Sequence, residues 1–250
     1  MKKVSLRDVR VSGPRFAAID VLRGCAVALM VAYHFCFDLQ YYGWIQANFN
    51  GDPFWLKSRA VIVSLFLGVV GISLVLANRN AIDRRAWLRR FGILAGCAAL
   101  VSASSYVLFP RSWIFFGVLH FVAVASVLGL VFLRWPRLDL AMGILLVVVG
   151  STVELPFFDQ PGLQWLGLMT YKPFTEDYVP LLPWFGVVLI GLFLGRLALR
   201  EKRLAPLMAW RPKGAPGRSL AFAGRHSLLI YMLHQPLLMG VLYLLKLLVS

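Results

Sequence analysis

Apolar and polar positions alternate along this chain in long blocks, not with the short periods of surface helices or half-buried strands. Seven apolar runs stand out, at Phe16–Leu39, Trp55–Ala77, Leu88–Phe109, Trp113–Leu133, Leu138–Leu155, Val179–Leu199 and His226–Leu248. Each approaches the roughly 20 residues that a helix needs to cross about 30 Å of hydrocarbon. In lipid the backbone must satisfy its own hydrogen bonds, so runs of this kind are predicted to be helices. The expected architecture is all-α, a polytopic membrane bundle of about seven transmembrane helices. The first run is too long for a signal-peptide core and carries four ionisable residues, so it is expected to remain as a helix. The segment Arg211–Gly217 (RPKGAPG) reads as a linker before the last helix. The domain reading is a basic arm at 1–15 followed by a single transmembrane domain at 16–250.

Composition reinforces the pattern. The chain is 60% hydrophobic and 15% charged over 250 residues, against about a quarter charged in soluble domains. Its net charge of +15 raises nucleic acid as a partner, but the basic residues sit between apolar runs, which argues instead for an orientation signal. Lys2, Lys3, Arg7, Arg10 and Arg15 precede the first run. Arg79, Arg84, Arg85, Arg89 and Arg90 follow the second, Arg134 and Arg137 the fourth, and a cluster from Arg196 to Arg225 the sixth. The alternate connections are poor in Lys and Arg. This places the N-terminus in the cytoplasm and the C-terminus outside. Cys25, Cys36 and Cys97 all lie in apolar runs; Cys25 and Cys36 are about 16 Å apart on one helix, too far for a disulfide.

Ionisable residues inside a bilayer cost about 2.5–3.5 kcal/mol each at the helix centre, so they mark function by default. Asp20, Arg23, His34 and Asp38 fall at about 0°, −60°, −40° and 0° around the first helix at 100° per residue. They form one stripe facing protein or water. Asp38 follows His34 by one turn, where a carboxylate can orient an imidazole and stabilise its charged form. By residue count His120 lies at a depth comparable to His34, while His234 is expected near the depth of Arg23, about 12 Å from the cytoplasmic end. Structural readings compete: Asp20–Arg23 as an i, i+3 ion pair, His120 bonded to a backbone carbonyl between helices, His226 as an interface residue, and His234 as part of a proline-related adjustment before Pro236. Trp44, Trp55, Trp113 and Tyr178 are read as interface anchors.

Five stretches carry a family resemblance in order along nearly the whole chain: RFAAIDVLRGCAVALMVAYHFCFDL (Arg15–Leu39), SLFLGVVGISLVLA (Ser64–Ala77), FFGVLHFVAVASVL (Phe115–Leu128), YVPLLPWFGVVLIGLFLGR (Tyr178–Arg196) and GRHSLLIYMLHQPLL (Gly224–Leu238). Together they resemble the catalytic domain of the heparan-α-glucosaminide N-acetyltransferase family. The first is also similar to the opening of the broader integral-membrane acyltransferases of surface sugars, whose Asp, Arg-Gly and later His match Asp20, Arg23-Gly24 and His34. The resemblance implies transfer of an acetyl or other short acyl group from cytoplasmic acyl-CoA to a glycan or lipid-linked acceptor at the outer face. One departure matters. The animal lysosomal members are thought to use a histidine in the loop after the first helix, and 40–54 contains none here.

The expected catalytic residues are therefore His34, as general base or acyl carrier, and Asp38, as its orienting carboxylate. His120, Trp184, His234 and Gln235 are candidate substrate-binding residues. Asp20, Arg23, Arg79 and Arg225 are candidates for the acyl-CoA site, since guanidinium groups pair with phosphate. Acetyl-CoA or another acyl-CoA is the expected donor, with no metal. The lipid bilayer is the expected partner, nucleic acid is not, and an oligomer is compatible. The chain lacks an Asn-x-Ser/Thr site in its outer loops, which favours a bacterial inner membrane. The alternatives are a small transporter or flippase using the polar stripe as a pathway, and a non-catalytic membrane scaffold.

Overall fold

A computed structural model describes residues 16–79 and 82–249; the basic arm read at 1–15 lies outside the described residues. Regular structure among them is helical throughout. The main elements are α1 (Ala17–Tyr41), α2 (Pro53–Ala77), α3 (Arg84–Leu108), α4 (Val118–Phe132), α5 (Asp139–Thr152), α6 (Leu181–Arg200), α7 (Ala205–Ala209), α8 (Ala215–Arg225) and α9 (Ser227–Val249). Five of these, α1, α2, α3, α6 and α9, are long and apolar enough to cross a membrane. Large apolar side chains on their outer faces, such as Leu29, Val61, Leu100 and Leu244, are exposed, as a lipid-solvated surface requires. The chain is an integral membrane protein.

Helix starts follow local chemistry. The Asp52 carboxylate accepts from the Phe54 N–H at 2.8 Å, with Pro53 in the first turn. Asp83 caps α3 through the N–H groups of Arg85 and Ala86, both at 3.0 Å. Each side chain satisfies donors that have no partner inside the helix.

The bundle is organised around α6, which packs on α2 along one side and α5 along another. Small residues set these contacts. A Cβ on Gly71 of α2 would lie 2.9 Å from the Gly191 Cα of α6, and one on Gly143 of α5 would lie 2.9 Å from the Gly186 carbonyl. Backbones that approach this closely gain dispersion contacts, which replace the hydrophobic drive missing in lipid. Leu67, Phe121, Ala125, Val188, Leu189 and Leu192 fill the core between α2, α4 and α6. On the far side of α2 lies α1, crossed by α8 near Gly24, Ala221 and Gly224. Helix α3 packs mainly on α4.

Three expectations change. The fourth and fifth runs form helices of only 15 and 14 residues, about 22 Å long at 1.5 Å per residue and short of the hydrocarbon thickness. Residues 109–117 are instead non-helical and pair with the segment before α6: Glu176 N–H donates to the Ser112 carbonyl at 3.0 Å and Val179 N–H to that of Phe116 at 3.2 Å. Non-helical backbone at membrane depth is tolerated where protein satisfies it in this way. The supposed linker 211–217 already contains the start of α8, because Gly214 takes the N-cap position and Pro216 fits the first turn. Finally, α8 packs on α1 at Asp20 and Gly24, and α9 meets α1 farther along, from His34 to Tyr42.

Candidate active site

That last shift assembles the site. His234 lies opposite His34, their ring centroids 4.9 Å apart, and not level with Arg23 as the residue count implied. One residue on, Gln235 donates through Nε2 to Asp38 Oδ1 at 2.7 Å. A further contact at the C-terminal end of α1, from the Tyr42 hydroxyl to the Met239 carbonyl at 3.0 Å, fixes the register of α9 on α1. Asp38 is completely buried. Its expected partner was His34, but its bonded oxygen goes to Gln235.

Four polar atoms in this cluster are buried without a partner among the described residues: His34 Nδ1, Asp38 Oδ2, His234 Nε2 and Gln235 Oε1. The protonation of His234 follows from its surroundings. Its Nδ1 sits 2.7 Å from the Tyr231 carbonyl, which only accepts, so Nδ1 carries the hydrogen in the neutral ring. Nε2 then presents a bare lone pair. A backbone acceptor that fixes the tautomer in this way prepares the other nitrogen as a base.

Asp177 reaches the same layer from the loop before α6. Its Oδ2 accepts from the Val118 N–H at 2.8 Å, capping α4, and from the Tyr231 hydroxyl at 2.9 Å. The Tyr231 and His234 rings are 5.6 Å apart. Burial pushes the Asp177 carboxyl above its ordinary value, opposed by the Val118 and Tyr231 hydrogen bonds and the charges of His120 and Lys172. Burial also pulls the Lys172 ammonium down. In the sequence Asp177 is one of three acids, with Asp159 and Glu176, in the connection before the sixth run, and nothing singles out Tyr231. The i, i+3 spacing of Tyr231 and His234 on one helix face is the signal that could have found the tyrosine.

The other candidates are placed differently. His120 is internally satisfied: Nδ1 accepts from the Gly117 N–H at 3.3 Å, and Nε2 lies 3.0 Å from Ser102 Oγ, which itself donates to the Ile114 carbonyl at 2.6 Å. Trp184 packs, half-buried, on the apolar core at the start of α6. Arg23 ties three helices through Asp20 Oδ1 at 3.2 Å, the Gly224 carbonyl at 3.3 Å and Ser73 Oγ at 2.6 Å. It lies about 16 Å along α1 from His34, eleven residues at 1.5 Å. Arg79 stacks over the Phe16 ring at 5.1 Å and lines a separate cavity, and Arg225 is exposed at the end of α8. Among the described residues no three His, Cys, Asp or Glu gather as a metal site.

Comparison with known proteins agrees with the span of this site. The family model for heparan-α-glucosaminide N-acetyltransferase, catalytic, matches residues 15–236. The match opens just before α1 and closes just after Gln235, so both halves of the cluster fall inside it. No curated protein and no solved structure matches the chain. This all-helical membrane bundle, with its facing histidine pair and a match over most of its length, belongs to the heparan-α-glucosaminide N-acetyltransferase catalytic family.

Proposed function

We propose that the protein transfers an acetyl or similar short acyl group from acyl-CoA on the cytoplasmic side to a sugar amine or hydroxyl at the outer face, at the His34–His234 pair. The observation that carries this reading is the set of four unpartnered buried polar atoms on α1 and α9. Each unsatisfied buried group costs about 1–3 kcal/mol. Four such groups on facing turns of α1 and α9 call for partners from outside the chain, and the two types present suit acyl transfer. Asp38 Oδ2 and Gln235 Oε1 accept hydrogen bonds, as needed to hold hydroxyl or amino groups of an acceptor. His234 Nε2 takes a proton.

In the proposed step the acceptor, as neutral amine or alcohol, attacks the thioester carbonyl and gives its proton to His234 Nε2. His34, beside it, donates an N–H to the developing oxyanion of the tetrahedral intermediate. Collapse breaks the carbon–sulfur bond, and the departing thiolate takes the proton from His234, leaving the CoA thiol and the acylated acceptor. Asp38 and Gln235 position the acceptor, a role that differs from the orienting carboxylate expected from sequence. The family's own name makes a terminal glucosamine the natural first acceptor to try. The test is CoA release from acetyl-CoA with glucosamine by His34→Ala and His234→Ala variants. Loss of turnover with the fold retained supports the pair; wild-type turnover in both contradicts it.

A further inference from the structure

A cavity of about 710 Å3 opens where the C-terminal ends of α2, α4 and α6 meet, and none of the His34–His234 cluster lines it. Four arginines line it: Arg79, Arg134, Arg196 and Arg200, against a single lining carboxylate, Glu201. Its other walls are largely apolar, with Val75, Leu133 and Phe193 among them. A cavity of this size lies within the range of ligand sites. Apolar walls lower the local dielectric and strengthen what charges do there.

Cations near helix C-termini are favoured on their own account, because carbonyls without helical partners face them. That explains part of the cluster. Arg196 donates to the Phe132 carbonyl at 3.1 Å and is held from behind by the buried Asp139, Nε to Oδ2 at 2.7 Å. Arg79 is braced over Phe16. Neither Arg134 nor Arg200 forms an ion pair among the described residues, although both are exposed to the cavity. The result is a pair of fixed guanidiniums and a pair of open ones around one volume, with excess positive charge. Planar guanidinium forks match the oxygens of phosphate in bidentate pairs, and basic pockets between membrane helices suit phosphate head groups.

We propose that this cavity is a binding site for a phosphate-bearing anion, the chemistry shared by the nucleotide end of a coenzyme A and by an anionic phospholipid head group. The coenzyme A source rests on the acyl-transfer reading above; the lipid source does not. Arg196 and Arg79 form the fixed floor, and Arg134 and Arg200 close on the ligand.

The experiment measures two probes on the purified full chain: free coenzyme A by calorimetry in detergent, and phosphatidylglycerol retained after reconstitution, by native mass spectrometry. Wild type is compared with Arg134→Gln/Arg200→Gln, with the single Arg134→Gln, and with Arg134→Lys/Arg200→Lys as a charge-preserving control. If the source is a nucleotide, coenzyme A binds saturably and weakens at least tenfold in the double Gln variant, with lipid retention unchanged. If it is a lipid, phosphatidylglycerol retention falls by a similar factor and coenzyme A binding does not change. In either case the Lys variant stays nearer wild type and binding weakens with salt. The site is exposed, so these variants should keep the melting temperature of the wild type. Equal binding of both probes by folded wild type and Gln variants, or binding of neither probe by wild type, overturns the proposal.

Discussion

His234 and His34 carry the account at the scale of single residues. Removing a positioned base or acid typically costs 10²–10⁴-fold in rate, so His34→Ala and His234→Ala should each lower acyl transfer by at least about a hundredfold while the melting temperature holds. His120 should behave in the opposite way. Its two nitrogens serve Gly117 and Ser102, so His120→Ala should destabilise the fold by roughly 1–3 kcal/mol, read as a lower melting temperature, and leave turnover per folded molecule unchanged. A large drop in turnover without loss of stability would restore the substrate-binding role that its depth suggested. The difference between these histidines is not written in their spacing. Residue counting placed His34 and His120 in one layer and His234 in another, because it took the start of the last apolar run as the membrane edge. The four ionisable residues of α1 were legible as a stripe, since that needs only helical periodicity. Their partners across helices were not, because α9 takes its register on α1 from α8 and from Tyr42, which are tertiary features.

Elements differ in how far their sequence determines them. Helices α1, α2, α3, α6 and α9 follow directly from apolar length. The truncation of α4 does not, because Trp113–Gly117 is as apolar as a helix needs; it stops short because Asp177 and His120 take the N–H groups of Val118 and Gly117. This makes Asp177 a test at this scale. Its folded carboxyl titrates above the unfolded value, so its favourable contribution is complete below the ordinary carboxylate range and is lost as pH rises through the raised value. Thermal stability should fall across that window in wild type and fall less in Asp177→Asn, which keeps an oxygen to accept from Val118 and Tyr231. Identical pH profiles would show that the carboxyl is not held at this depth. Close packing provides a second test. Gly71→Val forces a side chain against Val188 and Gly191, and overpacking of this kind costs about 1–3 kcal/mol or more. The variant should give less monodisperse protein in detergent than the wild type, and a well-folded variant would contradict the α2–α6 contact.

For the whole molecule, the five long helices and the family match establish an integral membrane acetyltransferase-family bundle, while the two short helices α4 and α5 make the number of crossings a matter for labelling. Basic connections alternate along the chain as a seven-crossing topology requires. Cysteines at Arg137→Cys and Gln160→Cys, on either side of α5, should therefore label from opposite faces, and labelling from one face would remove α5 as a crossing. The proposed function brings a donor from one side and an acceptor from the other together at the histidine pair. The most direct measurement is release of the CoA thiol from acetyl-CoA by the protein in nanodiscs, with and without glucosamine, for wild type, His34→Ala and His234→Ala. The account predicts glucosamine-dependent release by wild type that falls at least a hundredfold in both folded variants. Release by His234→Ala at the wild-type rate, or no release and no acetyl-CoA binding by folded wild type, would contradict it.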